Sequence, residues 1–354
     1  SDERMTYTAV HEILEGKSDA LLTRYAEWVP YFKEMKTLAL LLRKKRLARG
    51  SLDFDLPAPD IVTDITGEVV DILKEKRNLA HQIIEEFMLA ANEAVAEKMS
   101  PFPFVYRVHT APDPERILEF NELLRSFGLS LPAKERLSPK ILSGVLEQAR
   151  NRPEEKLIHE TLLRSMKKAC YSETNQGHFG LASPIYTHFT SPVRRYPDLV
   201  VHRLLKKKLA SKEKTEEKTT LLSRLPQITR HCSDRERVAI EAEREVIKRK
   251  TIRFMEGKVG ETYTGRISGV TSFGFFVLLD PFFVEGLVHL KTLGNDYYVY
   301  DERHHRHTGR RTGQVFQLGD SVRVQVTSAS LYDLELRFRL ETLLTDGSLC
   351  KTTP

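Results

Sequence analysis

Through most of the first 255 residues, apolar positions recur at helical intervals, which predicts a helix-rich region. MTYTAVHEIL and WVPYFKEMKTLALLLRKKRLARG have helix-length apolar patterns. The second closes at Gly50 after basic residues, as a helix C-terminus does. DIVTDITGEVVDI alternates around Thr66-Gly67 and predicts a hairpin. FVYRVH, Phe104 to His109, follows Pro103 and reads as a short strand. Further helices are predicted over Pro114 to Phe127, Ser138 to Ala149 and Glu154 to Ala169. HCSDRERVAIEAEREVIKRKTIRFM predicts a long helix, with Ser233 and Glu236 at the spacing of a capping box.

Near Gly257 the pattern changes. ETYTGRISGV, SFGFFVLL, EGLVHL, DSVRVQVTSA and LELRFRL are short β-rich runs separated by Gly, Asp or Pro. Five such strands predict a small closed barrel of the OB-fold kind. Between the third and fourth runs, LGNDYYVYDERHHRHTGRRTGQ is too long for a hairpin and too polar for a core. Its HHRH, His304 to His307, has no carboxylate or cysteine at metal-binding spacing and reads as a mobile basic loop. The fold class is therefore α+β: a helix-rich domain over residues 1–253, a barrel over 254–345 and a tail over 346–354.

Composition narrows the partners more than the fold. A chain of 354 residues accommodates two domains, and 40% apolar with 29% charged residues is the make-up of a globular protein. No run approaches 18 consecutive apolar residues, so no membrane span is expected, and SDERMTY lacks a secretory pattern. Cys170, Cys232 and Cys350 are far apart, which argues for a reducing compartment, the cytoplasm. The net charge of +6 suits a polyanionic partner, and the excess lies before about residue 256. Its densest piece, Lys206 to Lys218, reads as a solvated helix end and loop.

Three constellations carry candidate chemistry. In RNLAHQIIEEFMLAANEAVAEKM, an apolar stripe runs through Ile83, Ile84, Phe87 and Met88. At about 100° per residue, His81, Glu85 and Asn92 fall along one edge of it. Gln82, Glu86 and Glu93 fall on the other side, where a solvated face is expected. In HFTSPVRRYPDL, two prolines exclude regular helix, and Asp198 reads as the N-cap of the helix that follows. Arg194 and Arg195, read as extended, point to opposite sides; a fixed guanidinium fits a phosphate, and structural salt bridges are the alternative. SFGFFV sends Phe273 and Phe275 to one face and Phe276 to the other, unless Gly274 makes a bulge. Aromatics there can stack bases, although two of the three phenylalanines are expected in packing.

Together with RMTYTAV, RGSLDFDLP, HQIIEEFMLAAN, YRVH, GHFGLASPIYTHFTSPVRRYPDLVVHR and FGFFV…GLVHL, these features resemble the ribonuclease II/ribonuclease R (RNB) family of 3′-to-5′ exoribonucleases. The resemblance runs from about Arg4 to Leu340. It implies an RNB-type catalytic domain followed by an S1-type OB-fold barrel. The implied activity is magnesium-dependent hydrolysis of single-stranded RNA from its 3′ end to nucleoside 5′-monophosphates, in RNA turnover and quality control. Arg194 matches the arginine at the scissile phosphate, Tyr7 a tyrosine beside the 3′-terminal nucleotide, Phe54 a base clamp, and Glu85 a reader of the terminal ribose. Phe273, Phe276 and His289 match an RNA-facing patch on the S1-type barrel. The partners implied are RNA 3′ ends, with ribosomes or RNA-decay proteins beyond them, and the chain is expected to be monomeric.

Two departures accompany the resemblance. Where S1-type domains carry an acidic and a basic residue on the last strands, SLYDLELRF aligns Tyr332 and Leu334. The family's magnesium-holding cluster DxxxxxDxDD, upstream of MTY, has no counterpart, since Asp53, Asp55, Asp60 and Asp64 are wrongly spaced. The expectation is that this chain is a fragment, inactive alone, whose aspartates lie upstream. The alternative is a non-catalytic RNA-binding protein that kept the fold.

Overall fold

The computed structural model describes residues 2–54, 58–75, 77–100, 102–132, 137–152, 154–210, 215–294, 296–302 and 305–344. The 346–354 tail, Asp55 and His304 lie outside the described residues. Three helices open the chain: α1 (Tyr7–Glu15), α2 (Asp19–Arg24) and α3 (Val29–Arg49). α3 ends on Gly50, whose φ of 99° is left-handed and whose missing Cβ lets the Lys140 backbone approach. The hairpin β1 (Pro59–Thr63) and β2 (Val69–Lys74) forms around the predicted turn and leads into α4 (Leu79–Met99).

Next come β3 (Tyr106–Val108), α5 (Pro114–Ser126), α6 (Pro139–Ala149), α7 (Glu155–Ser165), β4 (Cys170–Ser172), α8 (Tyr196–Leu209) and α9 (Thr215–Glu256). α5, α6 and α7 bury Phe120, Leu142, Ile158 and Leu162 in one core. A second core joins α4, β3, β4, α8 and α9 through Met99, Phe104, Val108, Val201 and Leu225. α9 is one helix where the capping-box spacing predicted a start at Ser233. The Ser233 hydroxyl instead donates to the Thr229 carbonyl one turn back and accepts the Tyr171 amide. Glu236 is drawn away to Arg107 at 2.6 Å. The spacing is present, but both side chains serve tertiary contacts.

The barrel closes in the order β11-β12-β7-β6-β5. Its strands are β5 (Thr262–Thr271), β6 (Gly274–Leu279), β7 (Glu285–His289), β11 (Ser321–Ser330) and β12 (Glu335–Leu344), and β12 pairs with β7 in parallel to close it. Phe275, Val277, Val322, Val324 and Phe338 fill the interior. Ile72 of β2 and Met255 of α9 enter the same core, and the Phe283 amide donates to the Ile72 carbonyl. The hairpin and α9 therefore fix the barrel against the helical region.

The polar stretch read as a mobile loop carries β8 (Tyr298–Asp301), β9 (Arg306–Gly309) and β10 (Val315–Gln317), a three-stranded sheet. Tyr298 and Phe316 pack inward, and His307 is fully buried with its Nε2 donating to the Thr271 carbonyl at 2.8 Å. The composition masked this order because its inward residues, Tyr298, Tyr300, His307 and Phe316, stand among charged and polar neighbours.

Candidate functional site

α4 is the spine of the site. Asn78 caps it through the Ala80 and His81 amides, so the helix starts in a fixed register. His81, one turn before Glu85, stacks on Tyr7 with ring centroids 4.0 Å apart. Glu85 pairs with Arg77, and Arg77 also approaches Asp53 at 3.9 Å, next to Phe54. Phe54 sits edge-on to His159 at 6.2 Å. Farther along, Asn92 is buried, donates to the Tyr186 hydroxyl at 2.9 Å and accepts the Phe189 amide at 2.9 Å. One helical edge, roughly 16 Å from His81 to Asn92 at 1.5 Å per residue, thus touches the segments that bear Tyr7 and Arg194 and reaches that of Phe54 through Arg77 and Asp53.

The other side of α4 differs from expectation. Glu86 is 3% exposed rather than solvated and pairs with Arg46, 7% exposed, at 2.6 Å. Arg49 pairs with Glu93 at 2.6 Å in the same interface. α3 covers this face with arginines at helical spacing, and burial there relies on ion pairs that an apolar-stripe reading does not register. Glu85, with its side chain 39% exposed, is the glutamate that faces the open side.

The arginine loop is rigid for local reasons. Arg194 lies in a turn rather than in an extended segment, whereas Arg195, the N-cap of the next helix, has extended backbone at φ −126° and ψ 118°; both amides donate to the Ser191 carbonyl. α8 begins at Tyr196, so Asp198 is inside its first turn and not the N-cap. Its carboxylate, 0% exposed, accepts the Ser191 amide and an Arg195 guanidinium N–H, each at 2.8 Å. The Phe189 carbonyl accepts His202 Nε2–H at 2.9 Å, and the two rings stack at 4.1 Å. Arg195 is therefore locked to Asp198. Arg194 is exposed and makes no ion pair among the described residues.

Beneath the loop lies a polar cluster that the sequence did not single out. The Tyr171 hydroxyl and His188 Nδ1 share a hydrogen bond at 2.9 Å, and Arg107 packs over the Tyr171 ring while pairing with Glu236. Burial, then the nearby Arg195 and Arg107 guanidinium groups, pushes the His188 pKa down to about 2. Burial, then His109, pushes His178 down to about 3. Burial raises Tyr171, keeping it a donor.

On the barrel, Phe273 lies in the turn before β6 and is 47% exposed, while Phe275 points into the core at 0%. The alternation expected across Phe273 and Phe275 is thus broken at Gly274, where a Cβ would meet the Val288 carbonyl oxygen at 2.3 Å. Phe276 pairs with Leu287, and Gly274 with His289, so Phe276 and His289 share the outer face. The His289 ring is 6.4 Å from Phe273. Arg337 of β12 stands opposite Leu287 and extends the row. Leu334 occupies the preceding turn at a φ of 53°. These barrel residues form a group apart from the one on α4.

The carboxylates around α4 are committed to arginines: Asp53 to Arg43, Glu85 to Arg77, Glu86 to Arg46, Glu93 to Arg49. Among the described residues, no group of three or more His, Cys, Asp or Glu is placed to hold a metal ion. The described residues do not fit a magnesium site. They can stack on a ring, bind a ribose and hold a phosphate.

The RNB domain family model matches residues 1–211, and the S1 RNA binding domain model matches residues 256–330. Ribonuclease R of Aquifex aeolicus is 43% identical over 342 residues, 96% of this chain and 48% of that protein. Ribonuclease R of Escherichia coli is 39% identical over 349 residues, 96% of this chain and 43% of that protein. The structure of Mycoplasma genitalium RNase R in complex with ribose methylated single-stranded RNA superposes with a TM-score of 0.84. It is 28% identical, with 96% of this chain and 54% of that one covered. The chain spans about half the length of the curated relatives it matches. With its RNB match over more than half of its length and the barrel following it, the chain belongs to the RNB family, an RNB domain succeeded by an S1 domain.

Proposed function

We propose that this chain is the RNA-holding part of a 3′-to-5′ exoribonuclease that releases nucleoside 5′-monophosphates from single-stranded RNA. The observation that carries the reading is the edge of α4, which joins Tyr7, Glu85 and the anchored Arg194 loop in one line. The terminal base stacks on Phe54, the ribose meets Tyr7 and Glu85, and Arg194 takes the scissile phosphate with its planar fork. A guanidinium on a turn fixed by Asp198 stabilises charge that develops on the phosphate without reorganising first. Phe273, Phe276 and His289 hold RNA farther from its 3′ end. The relatives carry the name ribonuclease R, and one solved structure contains single-stranded RNA, which supports the same reading.

Magnesium, on this reading, is held by carboxylates supplied from outside the chain, and the chain by itself binds RNA without cutting it. The site is that of a monomeric cytoplasmic enzyme working on RNA in turnover and quality control. Arg194→Ala in the full-length protein tests it with 5′-labelled single-stranded RNA and magnesium. Progressive shortening by the parent protein and loss of cleavage with retained binding in the variant are expected. Unchanged cleavage by the variant sinks the role of Arg194. RNA bound but never shortened by the full-length parent favours the second reading, a non-catalytic RNA-binding protein, to which the lack of a metal-ligand group among the described residues points.

A further inference from the structure

The β8–β9–β10 sheet has one inward face and one that its own fold does not use. Tyr298 packs on Phe316, and Tyr300 on His307, with centroids 5.5 Å and 5.3 Å apart. Strand alternation leaves Tyr297 outside, where it is 67% exposed. Arg310 stands across from it: the Arg310 amide donates to the Tyr297 carbonyl at 2.9 Å, and the guanidinium carbon lies 5.0 Å from the ring centroid. Arg311 follows, also exposed.

Neither guanidinium has a carboxylate partner among the described residues. The nearest acid, Asp296, is spent on the turn itself. It accepts the Arg311 and Thr312 amides at 3.0 Å and 2.9 Å and the Thr312 hydroxyl at 2.5 Å. Gly309 lets it come so close, since a Cβ there would lie 2.5 Å from its Oδ2. The turn thus holds two guanidinium groups outside any ion pair among the described residues, beside an exposed aromatic ring.

The sheet is also fixed in place. His307 Nε2 donates to the Thr271 carbonyl and lies 3.4 Å from that of Gly274. Those two residues bracket the turn that displays Phe273. Phe316 stacks on Phe275 at 5.2 Å beneath it. An exposed ring, two guanidinium groups outside any ion pair and a rigid link to an aromatic patch match one ligand chemistry, unpaired bases on a phosphate backbone.

We propose that Tyr297, Arg310 and Arg311 form a further single-stranded RNA subsite on this sheet, separate from the Phe273, Phe276 and His289 patch. The inference rests on the RNA-binding reading above. One base stacks on the Tyr297–Arg310 pair and adjacent phosphates meet Arg310 and Arg311. A duplex cannot use it, because its base faces are already stacked.

The test measures anisotropy of labelled oligoadenylates of about 16 and about 4 nucleotides, the range of an OB-fold site, with the complete 354-residue chain across a salt series. Tyr297→Ala weakens binding of the longer oligomer about tenfold, and Tyr297→Phe, which keeps the ring, restores it. Arg310→Gln with Arg311→Gln lowers the slope of log affinity against log salt by about 1.4, two phosphates at about 0.7 each. The short oligomer, held by the α4 site, is affected by neither. Arg311→Gln alone removes a side chain with no partner among the described residues, so its effect is not an unfolding effect. Failure of the parent chain to bind RNA defeats the RNA-binding reading itself. Parent binding with variants of equal affinity and equal salt slope overturns the subsite alone. Variants that bind RNA normally but change self-association assign the face to protein contact and also overturn it.

Discussion

The Phe189 amide donates to Asn92 Oδ1 at 2.9 Å, tying the strand of chain that enters the arginine loop to the middle of α4. The same Asn92 side chain donates to the Tyr186 hydroxyl, three residues earlier in the segment. Asn92 is 2% exposed, so both bonds are made away from water. The Asp198 contacts hold the far end of the loop, and Asn92 with His202 holds the near end.

Asn92→Leu leaves the Phe189 amide and the Tyr186 hydroxyl without this partner in a buried place. A cost of about 1–3 kcal/mol in unfolding free energy is expected. In the full-length protein, turnover of single-stranded RNA falls while affinity for a short oligomer stays within about threefold, a difference of about 0.7 kcal/mol. Urea unfolding and single-turnover cleavage check the two halves. A variant as stable as its parent would show that the bonds do not set the loop.

How much of this was legible in the sequence depended on what carried the burial. Most helices, the β1–β2 hairpin and the barrel follow from apolar period and turn chemistry, while the starts of α8 and α9 lie ahead of the caps those signals offered. Glu85 and Asn92 were found because a helical edge is a matter of angle alone. Glu86 was misplaced because its burial rests on Arg46, 40 residues away, and no local pattern encodes that pair. Ser233 shows the converse: a local cap signal overridden by a contact with Tyr171. Arg337 stands beside Leu287 through the register of the β7–β12 pair, which spacing along the chain does not encode. The β8–β10 sheet escaped because its inward residues, two tyrosines, a histidine and Phe316, are scattered among charges.

The Arg46–Glu86 pair makes a second prediction. Both side chains are buried, and Arg46 also donates to the Ser51 hydroxyl at 2.8 Å. Glu86→Ala leaves a buried guanidinium without its carboxylate, and about 3–5 kcal/mol of destabilisation is expected. Arg46→Met with Glu86→Leu removes both charges and retains the volume, so the double variant unfolds much closer to the parent. Chemical denaturation of the four proteins of the cycle measures the coupling. A double variant as unstable as Glu86→Ala sinks the account, because packing rather than charge pairing would then be at stake.

Stability also depends on pH through the histidines under the arginine loop. His188 is pushed down to about 2 and His178 to about 3, chiefly by burial, and burial lowers His109 and His307 as well. In the unfolded chain such imidazoles titrate near 6.5. Above that value neither state takes up a proton, and the stability is complete. As the pH falls below 6.5 the unfolded chain binds protons that the fold refuses, so stability declines. The slope is about 1.4 kcal/mol per pH unit for each imidazole, continuing toward the folded values. Between pH 6.5 and 5, a loss of about 2 kcal/mol is expected for each of His178 and His188. His188 is neutral there and hydrogen-bonds the Tyr171 hydroxyl, a bond that an asparagine side-chain amide can make in either direction. His188→Asn therefore removes its share of the slope while retaining a partner for Tyr171. Urea unfolding of parent and variant at several pH values between 5 and 7.5 reads this directly. Equal slopes would place His188 outside the group of refused protons, and a stability that rises on acidification would reverse the sign of the whole account.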